Sequence, residues 1–324
     1  MRFLGVGLIA LALMLVPLST EAASPQPARG DGPFATHEQI LQWINDYRLE
    51  PEPKKLPEAL KAMSRLGLLR DQDTTGVYVG FAAGVLGSNP NMAEKLVTRM
   101  FPMPPEDQAV IVKAIAYSGL PDWKRLLGKF VERMPARKAL IDSYLFGKAP
   151  LLHELPLETG PAPVDTLWGY YFATGSLEPV YRIVEALKWS DDKSDVNRLT
   201  IGSVAKWTLA NNASRDKELL DFLRQQQHMT NHPEKVRKAL QEIVEAAETF
   251  ETTKIRKDAL AAIEELKRTG PQPNNPWSKA AYYGSTAIAL GCVVASALGA
   301  TAIGLPCILT GAASSAAVKW LNGP

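Results

Sequence analysis

The sequence predicts an all-α protein: an irregular, α-solenoid-like stack of helical hairpins, then a linker and a C-terminal Gly/Ala-rich apolar helical hairpin. Three observations predict it. Apolar residues recur at intervals of three and four along most of the 324 residues. Strand-type alternation is hard to find, and no Asn-Gly hairpin signal lies between alternating runs. Residues 280–318 contain no Asp, Glu, Lys, Arg or His.

The start of the chain reads as an export signal spanning residues 1–22. Arg2 supplies a positive n-region, residues 3–18 an apolar run, and Thr20, Ala22 and Ala23 the small residues of a cleavage site after Ala22. Residues 23–35 read as a disordered leader, rich in Pro, Gly and polar residues. The expected location is therefore periplasmic or extracellular. With 46% apolar residues the composition supports a large core, which lets an exported domain do without disulfides. The formal charge of +2 and the lack of a concentrated basic face argue against nucleic acid as a partner.

Residues 36–269 read as one all-helical domain. Residues 36–47 form a first helix with Ile40, Leu41, Trp43 and Ile44 on its apolar side, stopped by Pro51 and Pro53. Residues 56–69 follow, with Leu60, Met63 and Leu66 three apart. Residues 75–86 are apolar all round, which predicts a buried helix. Helices are expected over 92–101, 106–118, 122–134 and 136–146; Pro104, Pro105 and Pro121 suit helix starts because the first turn needs no proline amide. Residues 147–163 are the longest irregular piece, with four prolines and His153; segments of this kind are often functional. Helices over 164–174, 177–187, 195–211 and 217–228 come next. A charged pattern over 233–268 then steps through Val236, Leu240, Ile243, Ala247 and Phe250, with a break expected at Thr252 and Thr253. Residues 270–276, GPQPNNP, form a Pro-rich linker.

Four segments share a grammar: a helix of small and aromatic residues ends at Gly87, Gly119, Gly175 or Asn211, and an amphipathic helix follows. Gly and Asn fit the left-handed position that lets a chain leave a helix sharply. Residues 167–187, LWGYYFATGSLEPVYRIVEAL, carry Trp168, Tyr171, Gly175, Ala186 and Leu187 in the places where tetratricopeptide-type helix pairs set aromatic and small residues. This stretch resembles that family over one hairpin, although the turn residues hold no constant period. The resemblance implies stacked hairpins with a concave face for proteins or peptides.

Candidate chemistry is sparse. His228 and His232, four apart, could share a helix face and hold a metal, but no Glu or Cys accompanies them and Pro233 follows at once. Ser203 and Lys206 fit S-x-x-K, in which a lysine amine activates a serine one turn away, but the K-T-G element of such hydrolases is missing. No phosphate loop, dinucleotide fingerprint or nucleophile elbow occurs. Trp123, Trp168, Tyr170, Tyr171, Trp189 and Trp207 read as core. No cofactor is expected.

The C-terminal segment, 277–324, points elsewhere. Residues 284–303 are uncharged and as a helix would measure about 30 Å, enough to span a bilayer. Ala287, Gly291, Ala295 and Gly299 form a small-xxx-small ladder along which another helix can approach. Trp277, Tyr282, Tyr283 and Trp320 border it as interfacial aromatics do. Gly304-Leu305-Pro306 divides it into a long and a short arm; a straight hairpin would hold Cys292 and Cys307 about 15 Å apart or more, which argues against a disulfide. The expectation is a non-enzymatic helical protein-interaction or scaffold protein, with a protein partner or self-association through the hairpin and a possible membrane attachment. The alternatives are a membrane-active protein whose hairpin inserts and oligomerises, and a hydrolase or metal enzyme on Ser203/Lys206 or His228/His232.

Overall fold

A computed structural model describes residues 32–70, 75–249 and 251–270. Every regular element among them is helical. The first seven α-helices are α1 His37–Asp46, α2 Leu56–Arg65, α3 Gly76–Gly87, α4 Pro90–Met100, α5 Ala109–Tyr117, α6 Trp123–Gly128 and α7 Lys138–Leu145. Then come α8 Ala162–Thr174, α9 Glu178–Glu185, α10 Val196–Ala213, α11 Lys217–His228, α12 Glu234–Thr249 and α13 Thr252–Thr269. The all-helical class predicted from periodicity is what these residues form. The segments expected to be the signal, most of the leader, the linker beyond Gly270 and the C-terminal hairpin lie outside the described residues.

Local chemistry sets the boundaries. Thr36 caps α1: its hydroxyl accepts from the Gln39 amide, and the Gln39 side chain accepts in return from the Thr36 amide at 3.1 Å. Pro90 and Pro163 fall in the first turns of α4 and α8. Gly67, Gly119 and Gly175 take left-handed φ values of 74°, 72° and 70° and turn the chain after α2, α5 and α8. The predicted break in the charged pattern occurs between Thr249 and Thr252.

The core is organised around α3, in which every residue from Gly76 to Leu86 is buried. Its most extensive neighbour is α8, far away in sequence. The two backbones touch. A Cβ on Gly80 would sit 1.8 Å from the Thr166 carbonyl oxygen, and one on Gly169 would sit 2.0 Å from the Val77 carbonyl oxygen. Glycine is required there by space. Gly76, Gly80 and Gly84 thus form a four-residue ladder facing Ala162, Thr166 and Ala173. On another side, Phe81 meets Trp43 and Tyr47 edge to face, with centroids 5.0 Å apart in each pair. A second layer gathers on α10, which packs against α11, α12 and α13. The layers are joined by Trp168, whose indole N–H donates to the Thr208 hydroxyl at 3.0 Å.

Several details differ from the sequence expectation. The helix expected over 122–134 ends at Gly128, and a 3-10 turn, Val131–Arg133, follows. Glycine weakens a helix, and the change of direction buries Phe130 and Met134. Helix α3 ends at Gly87 as expected, but without a left-handed exit; glycine is needed there because a Cβ would sit 2.1 Å from the Ser118 carbonyl oxygen. Asn211 makes no exit either: α10 continues to Ala213, and Asn212 and Ala213 are buried. Phe34, assigned to the leader, is buried and stacks edge-on to Trp43 at 5.0 Å.

Candidate functional site

The ladder Ala287, Gly291, Ala295 and Gly299, and the aromatics Trp277, Tyr282, Tyr283 and Trp320, lie outside the described residues. No helix among the described residues is long and apolar enough to cross a membrane. The remaining candidates divide sharply.

His228 and His232 do not form a pair. His228 is exposed as the last residue of α11. His232 turns inward, hydrogen-bonded to the Gln226 carboxamide at 2.9 Å and packed on Tyr181 with centroids 5.8 Å apart. Burial lowers its pKa, partly offset by Glu185. Among the described residues no three His, Cys, Asp or Glu side chains converge as a metal site.

Ser203 and Lys206 do share a face of α10, but they are not coupled. Lys206 Nζ is bound to the Glu242 carboxylate of α12, and no hydrogen bond joins it to the Ser203 hydroxyl. An ammonium group engaged by a carboxylate does not serve as the amine base that an S-x-x-K hydrolase needs.

A pocket of 370 Å³ occurs where the long irregular segment meets α5, α8 and α9. The left-handed Gly119 turns the chain out of α5 and places Leu120 and Trp123 at the mouth. The irregular segment folds into two 3-10 turns, Leu152–Glu154 and Leu157–Thr159. Its first turn is closed by the Glu154 carboxylate, which accepts from the Leu151 amide at 3.0 Å. Leu155 and Leu157 anchor it in the core, and Arg182 of α9 donates to the Leu155 carbonyl at 2.9 Å. The result is a wall built from Leu151, Leu152 and His153 opposite Tyr117, Trp123 and Tyr170.

The aromatic side is braced from behind. Tyr117 and Tyr144 hydroxyls hydrogen-bond at 2.7 Å behind it, and Trp123 packs edge-on to Tyr144 at 6.5 Å. Burial raises the pKa of Tyr170, with help from nearby Glu178, and burial raises that of Tyr117 against the opposing hydrogen bond from Tyr144. These phenols therefore stay neutral and offer ring faces, while the Tyr117 hydroxyl is engaged with Tyr144. Glu178, Arg182 and His153 form the polar edge. Such a pocket can grip an extended apolar segment while the edge orients it.

Sequence reading placed Trp123 and Tyr170 in the core with Trp168 and Tyr171. Trp168 and Tyr171 are core, each 1% exposed, whereas Trp123 and Tyr170 are only partly buried and line the pocket. The signal that could have marked Trp123 is its position after the Gly119–Pro121 turn; no local feature of the sequence marks Tyr170.

Another polar cluster is a structural latch. Arg48 Nη1 pairs with Asp216 Oδ2 at 2.7 Å, the Tyr171 hydroxyl donates to the same oxygen at 2.7 Å, and the guanidinium lies over the Tyr171 ring at 4.8 Å. Burial works against ionisation of Asp216, but bonds from Tyr171 and the Leu219 amide and the Arg48 charge outweigh it and hold its pKa below the ordinary value. Asp216 also caps α11. No family model, curated protein or solved structure matches the chain.

Proposed function

We propose that the protein is an exported, non-enzymatic helical scaffold that binds an extended apolar segment of a protein partner in the pocket between residues 147–161, α5, α8 and α9. The observation that carries this reading is the aromatic wall of Tyr117, Trp123 and Tyr170 facing the anchored irregular segment. Aromatic-lined grooves with a polar edge suit extended peptides because the rings supply contact area at little conformational cost. The hairpin of α8 and α9 is one unit of an irregular, solenoid-like stack in this reading. Residues 277–324 attach the scaffold to a membrane or assemble it with other copies through the Ala287–Gly291–Ala295–Gly299 spacing.

The pocket is tested on an array of extended apolar and proline-containing peptides, probed with the wild-type chain and with W123A and Y170A. A subset should be retained, with each substitution weakening retention about tenfold. Retention unaffected by both substitutions removes the pocket from the proposal. Attachment is tested by co-sedimenting liposomes with chains containing or lacking residues 277–324. Only the longer form should sediment or self-associate; two soluble, monomeric forms would defeat this part.

A second reading rests on the uncharged run over 280–318: the segment inserts, oligomerises and permeabilises a bilayer. Dye release from liposomes by the longer form alone favours that reading over attachment.

A further inference from the structure

A second groove, of 510 Å³, lies between α10, α12 and α13. Its floor is made where α10 crosses the chain after the 3-10 turn Ala186–Trp189. Gly202 approaches so closely there that a Cβ would sit 2.3 Å from the Ser190 amide nitrogen. This contact brings Ser190 and Ser203 into the lining. They are 8% and 5% exposed, and the buried Ser190 hydroxyl has no hydrogen-bond partner within the protein. A buried polar group left in this condition is uncommon, and a bound ligand is one way of satisfying it.

The walls carry a charge excess. Asp191, Glu242, Glu245, Glu251 and Asp258 face two ammonium groups, Lys206 and Lys254. The formal charge of the lining is −3, in a chain whose total is +2. Lys206 is already engaged by Glu242. Glu242 and Glu245 stand about one turn apart on α12, while Glu251 and Asp258 are separated by about 10 Å along the start of α13. Between them lie the apolar side chains of Ala246, Ile255 and Ala259. Carboxylates spread along a groove with alkyl surface between them do not converge on a compact ion; no three donors do so among the described residues.

We propose that this groove binds a linear aliphatic di- or triamine. Its ammonium groups pair with carboxylates of α12 and α13, its methylenes lie on Ala246, Ile255 and Ala259, and its N–H groups donate to the Ser190 and Ser203 hydroxyl oxygens. The site shares none of the residues that line the aromatic pocket, so the two proposals stand or fall separately.

Isothermal titration calorimetry of spermidine into the full chain tests it. Saturable one-to-one binding is expected, weaker with rising salt and much weaker for butylamine, which has a single amine. The double substitution Ser190→Ala/Ser203→Ala should weaken spermidine binding about tenfold. Glu245→Gln/Asp258→Asn should weaken it at least as much. Asp258→Asn alone changes only an exposed side chain, and its several-fold loss keeps the test open if a double variant melts early. Absence of saturable spermidine binding, equal affinity for butylamine, or full affinity in the variants would overturn the proposal.

Discussion

Helix α3 buries every residue from Gly76 to Leu86, whereas α13, half as long again, buries only Thr252 and Ile263. The difference lies in what each presents to its neighbour. Along α3, Gly76, Gly80 and Gly84 remove side chains from the contact, so the backbone of α8 comes within contact distance. Against α10, α13 presents a narrow stripe of Ile255, Ile263 and Leu266, flanked by Lys and Glu. The space left between α10, α12 and α13 is the acidic groove. Close backbone packing makes a rigid centre; an amphipathic stripe makes an adjustable edge where a ligand can enter.

The contrast can be broken most severely at its centre. Gly80→Ala places a methyl group 1.8 Å from the Thr166 carbonyl oxygen. Because the obstacle is backbone, urea denaturation should report a loss of about 4 kcal/mol or more, or failure to fold. Gly128→Ala is the control: nothing lies within 4 Å of its Cβ, and there helix propensity should add up to about 1 kcal/mol. Equal effects at the two glycines would contradict the close-contact account.

At the edge the effect should be smaller and local. Ile263 is 3% exposed but belongs to a small cluster with Val196, Leu199 and Leu266. Ile263→Ala should cost about 2 kcal/mol, and hydrogen exchange should rise in α13 while α3 stays protected. Loss of protection throughout the molecule would mean that α13 is part of the central cooperative unit.

The latch between the layers should give the smallest effect, with a distinctive pH dependence. The pKa of Asp216 is lowered from its ordinary value of 3.8. A carboxyl depressed in the folded state contributes its full stabilisation above the unfolded value and loses it as pH falls through the folded value. Asp216→Asn should therefore cost about 1–2 kcal/mol near neutrality, and the wild-type advantage should shrink below about pH 4. An advantage that persists in stronger acid would assign the loss to packing.

The same small-xxx-small spacing appears twice in the sequence, at Gly76, Gly80 and Gly84 and at Ala287, Gly291, Ala295 and Gly299. In the described domain it packs one helix on another within a protein core. The spacing therefore marks close helix approach and does not by itself select a membrane; length, lack of charge and aromatic borders must carry that part of the proposal.

Much of the fold was legible because helices announce themselves locally. Residues 217–228 matched α11 at both ends, and the all-round apolar character of 75–86 correctly marked a buried helix. The misses have a common cause. Asn211 is a suitable exit residue, yet α10 runs on to Ala213, and α3 ends at Gly87 without the left-handed turn, because packing and close approach outweigh the local preference. The candidate sites were less legible. The irregular segment 147–163 drew attention through its prolines, but its partners Trp123 and Tyr170 come from distant parts of the chain. Ser203 and Lys206 were noticed for a spacing, while Ser190 and the carboxylates of α12 and α13 that surround them carry no motif.

The sequence by itself determined that the described chain is helical, where most helices begin and end, and that α3 must be buried, because these follow from side-chain period, caps and the absence of charge. Only the tertiary structure decided that α3 meets α8, that Lys206 belongs to Glu242, and that two serines form the floor of an acidic groove. Those outcomes depend on which surfaces fit at contact distance, and residues far apart in a chain carry no local mark of the partner they will meet.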